Sequence, residues 1–258
     1  MLAFEKHSFF ERLKSMLKVD FKRVFTMPLV YIMAGVSLVM PILILVMTSM
    51  MGGAEEGAEA AAGFTNTWQA IGSVGGSAMS MDLTGMCNIN MLYFLIAVFV
   101  CVFVADDFRS GYVKNLFTVR SKKWDYVISK SLVGFVGGTI MILAYFIGAM
   151  LGGAIAGLSF NTVGFGAGGI VACMFSKIFM VAIFASIALV LGVVAKQKLW
   201  LSIVGSFAAG ALLFTMLPMM SPLNSNFINV VMCLAGGALF AAGLGAVSNI
   251  ILNKTSLV

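Results

Sequence analysis

Polar side chains able to do chemistry crowd into two stretches of this sequence, the N-terminal residues 5–23 and a later segment between spans. Residues 105–130 read A-D-D-F-R-S-G-Y-V-K-N-L-F-T-V-R-S-K-K-W-D-Y-V-I-S-K, flanked by long apolar runs. Elsewhere such residues are scarce. His7 is the only histidine, and Cys87, Cys101, Cys173 and Cys233 include no C-x-x-C pair. Cysteine in an apolar run is usually a small hydrophobe, so neither a metal site nor a catalytic nucleophile is expected. The phosphate-cradling pattern G-x-x-x-x-G-K-[ST] does not occur, since no glycine is followed by lysine. Hydrolysis of ATP by that route therefore needs a second chain.

One charge stands apart. Lys177 lies well inside an apolar run, where a cation costs about 2.5–3.5 kcal/mol on the insertion scale. Two readings stand. In the favoured one, Lys177 faces a cavity and meets an anionic ligand group on a substrate path. In the other, the run begins later and the stem snorkels to the interface.

The elements positioning these residues follow from composition. Of 258 residues, 61% are hydrophobic and 10% charged, whereas a soluble domain carries about 25% charged residues. Six apolar segments, at about 28–51, 86–105, 131–157, 167–195, 199–218 and 228–252, are long enough to span a bilayer, which takes roughly 20 residues. In lipid every backbone polar group must pair internally, so each segment is expected to be a helix. The fold class is all-α: a polytopic membrane protein with six transmembrane helices, an N-terminal interfacial amphipathic helix and a short cytoplasmic coupling helix.

Basic residues orient the spans. Lys6, Arg12, Lys14, Lys18, Lys22 and Arg23 precede the first. Arg109, Lys114, Arg120, Lys122, Lys123 and Lys130 lie between the second and third, Lys196 and Lys198 between the fourth and fifth, and Lys254 after the sixth. The opposite loops, near 52–85, 158–166 and 219–227, contain no Lys or Arg. Positive residues stay inside, so both termini are expected in the cytoplasm. The formal charge of +6 is read as topology, and no nucleic-acid partner is expected. The first outer loop carries Glu55, Glu56, Glu59 and Asp82; it reads as a flap over the exit that receives cations, or simply as a solvated loop.

Two parts divide the chain. Residues 1–27 form a cytoplasmic N-terminus in which Phe10, Leu13, Leu17, Phe21 and Val24 recur at steps of three and four. That spacing predicts a basic amphipathic helix in the headgroup plane, or one packed on a soluble partner. Residues 28–258 form the transmembrane domain, interrupted by the loop 106–130. Within the loop Tyr112, Leu116 and Val119, with Val113 and Phe117 beside them, predict a short helix at 111–119 that exposes an apolar knob. An exposed apolar knob among charges suits protein docking.

The loop resembles that of the type-2 ABC exporter permease family. The matching residues are Asp106 or Asp107 leaving the second span, Gly111 and Lys114, then Leu116 with Phe117, Arg120, and Lys130 entering the third span; Tyr112, beside them, joins the candidate ATPase-coupling residues. Asp stands where that family usually has Glu, and Val119 where it commonly has proline. Small permeases of the lantibiotic-immunity and phenol-soluble-modulin exporters are similar in size. The resemblance implies that the short helix inserts into a separate ABC ATPase, present in two copies and carrying ATP and Mg. It also implies a second permease subunit, in a homodimer, within the bacterial cytoplasmic membrane. This chain would then bind no cofactor itself. The 20 methionines and 22 phenylalanines give an adaptable apolar surface, which suits export of amphipathic or hydrophobic peptides or drugs. A secondary transporter, or a non-transporting sensor or scaffold, remains the alternative.

Overall fold

The computed structural model describes residues 9–51, 66–72, 88–119, 122–162, 166–214 and 216–254. The expectations for His7, Cys87, Glu55, Glu56, Glu59, Asp82 and Arg120 fall outside them. Among the described residues the regular structure is helical, apart from an isolated bridge between Asn66 and Ser159. We number the helices α1 (Phe9–Thr26), α2 (Pro28–Met51), α3 (Leu92–Arg109), α4 (Tyr112–Val119), α5 (Lys123–Ile155), α6 (Gly166–Ala195), α7 (Leu199–Phe214), α8 (Leu217–Met220) and α9 (Phe227–Lys254). The chain is an all-α polytopic membrane protein.

Each of the six apolar segments holds a helix. Five of the helices are long and apolar enough to cross a membrane. The remaining one, α7, has 16 residues, which at 1.5 Å per residue reach about 24 Å, short of the roughly 30 Å hydrocarbon core. A separate short helix, α8, follows it with a proline in its first turn, a residue that suits the start of a helix and not its interior.

Helix α6 is the hub of the bundle, packing against α3, α5, α7 and α9, while α2 rests mainly on α5. Small residues set how closely these backbones approach. A Cβ on Gly152 would lie 2.8 Å from Ile42 Cα of α2, and one on Gly148 would overlap the Leu38 carbonyl oxygen. On other faces of α5, Gly134 meets Val100 and Gly138 meets Val181 and Ile96. Gly237 of α9 comes so near α6 that a Cβ would stand 2.7 Å from the Phe179 carbonyl oxygen. Tyr93, Phe99, Tyr145 and Met141 fill the interior. Apolar side chains on the outer faces of α2, α7 and α9 are exposed, as a bilayer requires.

The helices outrun the apolar runs at the end that carries the basic residues. The second span continues to Arg109, and α5 begins at Lys123, ahead of its apolar stretch. With 33 residues α5 is about 50 Å long, so one end projects beyond any hydrocarbon core. Asp106, Asp107, Asp125 and Lys130 are thereby helical instead of lying in a loop. The turn from α3 into α4 is made by Ser110 and Gly111, whose φ of +72° is a conformation that glycine adopts without a Cβ penalty.

Candidate functional site

Helix α1 lies along the basic end of α5. The periodicity marks the apolar side of α1 correctly, but Leu17, Phe21 and Val24 pack on the chain's own core instead of lying in the headgroup plane or on a soluble partner, whereas Phe10 is 78% exposed. The buried stripe is Met16, Asp20 and Val24. A carboxylate thus occupies the centre of an apolar face, fully enclosed. A buried charge survives only when it is paired and hydrogen-bonded, and the neighbouring helices supply both.

Asp20 accepts hydrogen bonds from Lys130 Nζ at 2.9 Å and Ser129 Oγ at 2.6 Å, both on α5. Lys130 Nζ also pairs with Asp107 Oδ2 of α3 at 2.7 Å. Asp107 receives Arg23 Nη1 of α1 at 2.5 Å and the Tyr126 hydroxyl at 3.1 Å. Arg23 Nη2 reaches Asp106 at 3.1 Å near the surface. Asp20, Asp107 and Lys130 are fully buried. Two buried carboxylates thus balance Lys130 and Arg23. Rings complete the enclosure: Lys130 Nζ is 3.9 Å from the Phe103 centroid, and the Arg23 guanidinium 4.7 Å from that of Tyr112, close enough for cation–π attraction. Partial burial alone would lower the Arg23 pKa, but Asp107, with Asp20 and Asp106, overcomes it and holds the group above the ordinary arginine value. A second pair, Arg12 to Asp125 at 3.0 Å, ties α1 further along α5.

Helix α4 sits on this cluster. Its bounds agree with the expected helix, but its apolar side is not an exposed knob. Val113 is buried, and Leu116 and Phe117 are half-buried against the core. Phe117 meets Tyr126 edge to face at 5.7 Å, so α4 touches the residue that donates to Asp107. Tyr112 turns inward over Arg23. The outward side presents Lys114, Asn115 and Thr118. The structure thereby gathers Asp106, Asp107, Gly111, Tyr112, Lys114, Leu116 and Phe117 at one end of the molecule. Lys123 lies beside them: it donates to the Leu252 carbonyl of α9 at 2.6 Å, and its Nζ is 5.6 Å from the Phe117 ring.

Lys177 is at a separate place. Its side chain is fully enclosed, so in this conformation it neither faces an open cavity nor snorkels to the surface. Nζ donates to Ser221 Oγ at 3.1 Å and Asn90 Oδ1 at 3.3 Å, and Tyr93 donates to its carbonyl oxygen at 3.0 Å. Among the described residues it has no ion pair. A groove of about 500 Å³ opens nearby, between the ends of α6 and α9 away from the basic residues, lined in part by Gly169, Phe175, Asn224 and Phe227. At the same end Trp68 bridges to the Phe160 carbonyl at 3.2 Å and Thr67 to that of Ser159 at 3.1 Å, which seats residues 66–72 across the end of the bundle.

Asp20, Arg23, Ser129 and Tyr126 escape a reading of apolar periodicity, because the first two belong to α1 and the last two to α5, more than 100 residues on, and they join only on folding. One signal was available: Asp20 falls three residues after Leu17 and four before Val24, on the apolar side of an otherwise basic helix. The whole arrangement is a cross-braced joint, in which a small surface helix is tied to α1, α3 and α5 by charge and aromatic contacts. Residues 16–211 match the family described as ABC-2 family transporter protein. Comparison with curated proteins and with solved structures returned no match.

Proposed function

The chain belongs to the ABC-2 family of transporter proteins, and on that premise we propose that it is the permease subunit of an ATP-driven exporter whose α4 helix docks on a separate ABC ATPase. The family itself makes the chain a membrane transport subunit that works with such an ATPase. The carrying observation is the placement of α4: a surface helix of 8 residues between two spanning helices, with a polar outward side and an inner side set against the buried charge cluster. A docked partner that pushes α4 presses Phe117 on Tyr126 and Tyr112 on Arg23. The cluster is stiff because each charge has several partners, so the push passes into α1, α3 and α5.

The finer features of the proposal follow. The basic end lies in the cytoplasm, in a bacterial plasma membrane, with both termini inside. Two copies of the chain form a homodimer served by two ATPases, which carry the ATP and Mg. The cargo is an amphipathic or hydrophobic peptide or drug, for which the Met- and Phe-rich spans offer an adaptable surface. Lys177 lines the path in a conformation that opens the contacts between α6 and residues 217–227. Ion-coupled transport gains no carrier at mid-helix: Asp106, Asp107 and Asp125 all lie at the basic ends of their helices.

The test is purification from native membranes in mild detergent, with mass spectrometry of what co-elutes. A stoichiometric P-loop ATPase is expected. Lys114→Glu combined with Thr118→Asp removes it while leaving the chain folded, because both side chains are exposed on the outward side of α4. A chain that elutes alone and well folded would overturn the proposal in favour of a secondary transporter or a scaffold.

A further inference from the structure

Lys123 stands where its own helix disfavours it. It is the first residue of α5, preceded by Lys122, which makes no side-chain cap. The N-terminal end of a helix carries partial positive charge, which repels a cation. Its placement makes sense against a different helix. The last four carbonyls of any α-helix lack intrahelical partners, and Leu252 is among the last four residues of α9. Lys123 Nζ donates to that carbonyl at 2.6 Å, which satisfies an orphan acceptor and sets a cation at the negative end of the α9 dipole. The Leu252 side chain is buried beneath it. The same ammonium lies 5.6 Å from the centroid of Phe117 on α4.

Lys123 therefore touches two elements that share no backbone. Helix α9 packs chiefly along α6, the helix that carries Lys177. Its Gly237 rests on the Phe179 carbonyl of α6, two residues beyond Lys177. At its basic end it meets α5 through Gly245, near Val127 and Trp124, and through the Lys123 clasp. The charge cluster of Asp20, Arg23, Asp107 and Lys130 ties α4 to α1, α3 and α5 but includes no residue of α9.

We propose that Lys123 is a positioning residue that couples α4 to α9, giving the docking helix a second output beside the charge cluster. Displacement of Phe117 carries the ammonium with it and pulls the last turn of α9, which shifts α9 along α6. The direction of the signal, from an ATPase inward, rests on the function proposed above; the clasp itself does not.

The experiment uses the full chain in lipid nanodiscs. Nitroxide labels are placed through Ser110→Cys in the turn that opens α4, off its outward side, and Asn253→Cys on α9, both exposed. Cys87→Ser removes the native cysteine outside the described residues; the other three are buried. Pulsed electron spin resonance then reads the distance distribution between the labels. Wild type and Lys123→Arg are expected to give one narrow distribution, and Lys123→Met one at least twofold broader. Phe117→Leu, which keeps the clasp but loses the ring, is expected to broaden it as well. A Lys123→Met distribution as narrow as wild type would overturn the proposal. With a co-purified ATPase, a non-hydrolysable ATP analogue should shift the distribution in wild type and Lys123→Arg, but not in Lys123→Met, with the ATPase still bound. An equal shift in Lys123→Met would equally overturn it. A wild-type chain that binds no ATPase would sink the proposed function, while the width comparison in the chain alone would still judge the clasp.

Discussion

Replacing Lys130 by methionine is the sharpest perturbation of the joint. Methionine keeps much of the stem volume and removes the ammonium. Asp20 would retain only the Ser129 hydroxyl, and Asp107 would retain Arg23 and Tyr126. Removing one member of a buried ion pair costs about 3–5 kcal/mol, because the other charge is left uncompensated. Asp20→Asn is milder. Lys130 keeps Asp107 at 2.7 Å, and the amide oxygen still accepts from Ser129, so about 1–2 kcal/mol is expected. The double variant relieves the stranded carboxylate. Its loss should fall short of the sum of the single losses by at least 1 kcal/mol, within the range found for residues in one network. The assay is equilibrium unfolding of the purified chain in mixed micelles, read by tryptophan fluorescence, with the four proteins of the cycle measured side by side. A Lys130→Met protein within about 0.5 kcal/mol of wild type, the usual range for surface substitutions, would refute the reasoning. Strict additivity would also refute it, since it would mean that Asp20 and Lys130 do not share their energy.

Two further predictions concern packing and the inner lysine. Gly148→Ala sets a methyl group against the Leu38 carbonyl oxygen of α2 and should cost about 1–3 kcal/mol, whereas Gly243→Ala, with open space around it, should be neutral or stabilising by about 0.5–1 kcal/mol; equal effects in the same unfolding assay would contradict the close α2–α5 contact. Lys177→Met loses hydrogen bonds only to neutral partners and is expected to leave stability within about 1 kcal/mol of wild type. If Lys177 lines the path, the variant should change, at least threefold, the stimulation of a co-purified ATPase by a synthetic amphipathic peptide; an unchanged response would reduce the residue to a packing role.

How much of this was legible in the sequence differs by element. Tyr112, Leu116 and Val119 marked α4 correctly, because a short amphipathic helix advertises itself by spacing alone. The exposure of those residues was not legible. Phe117 and Val113 turn inward because Tyr126 and the ends of α3 and α5 stand above the apolar spans, and hydropathy cannot see a helix that continues into water. The same blindness put Asp106, Asp107 and Lys130 in a loop. Lys177 was correctly singled out as costly, but its partners, Asn90 and Ser221, come from segments 87 and 44 residues away.

By itself the sequence determined that this is an all-helical membrane chain with its basic residues gathered at alternate span ends. It also placed a small amphipathic helix between the second and third spans. Those features are local or additive: transfer of apolar side chains to lipid, helical periodicity, and the charge of short loops. Only the tertiary structure decided that Asp20, Arg23, Asp107 and Lys130 form one buried cluster, and that Lys123 reaches the end of α9. Such pairings depend on which helix faces which at distances near 3 Å, and they hold because a charge withdrawn from water must find its opposite across the chain.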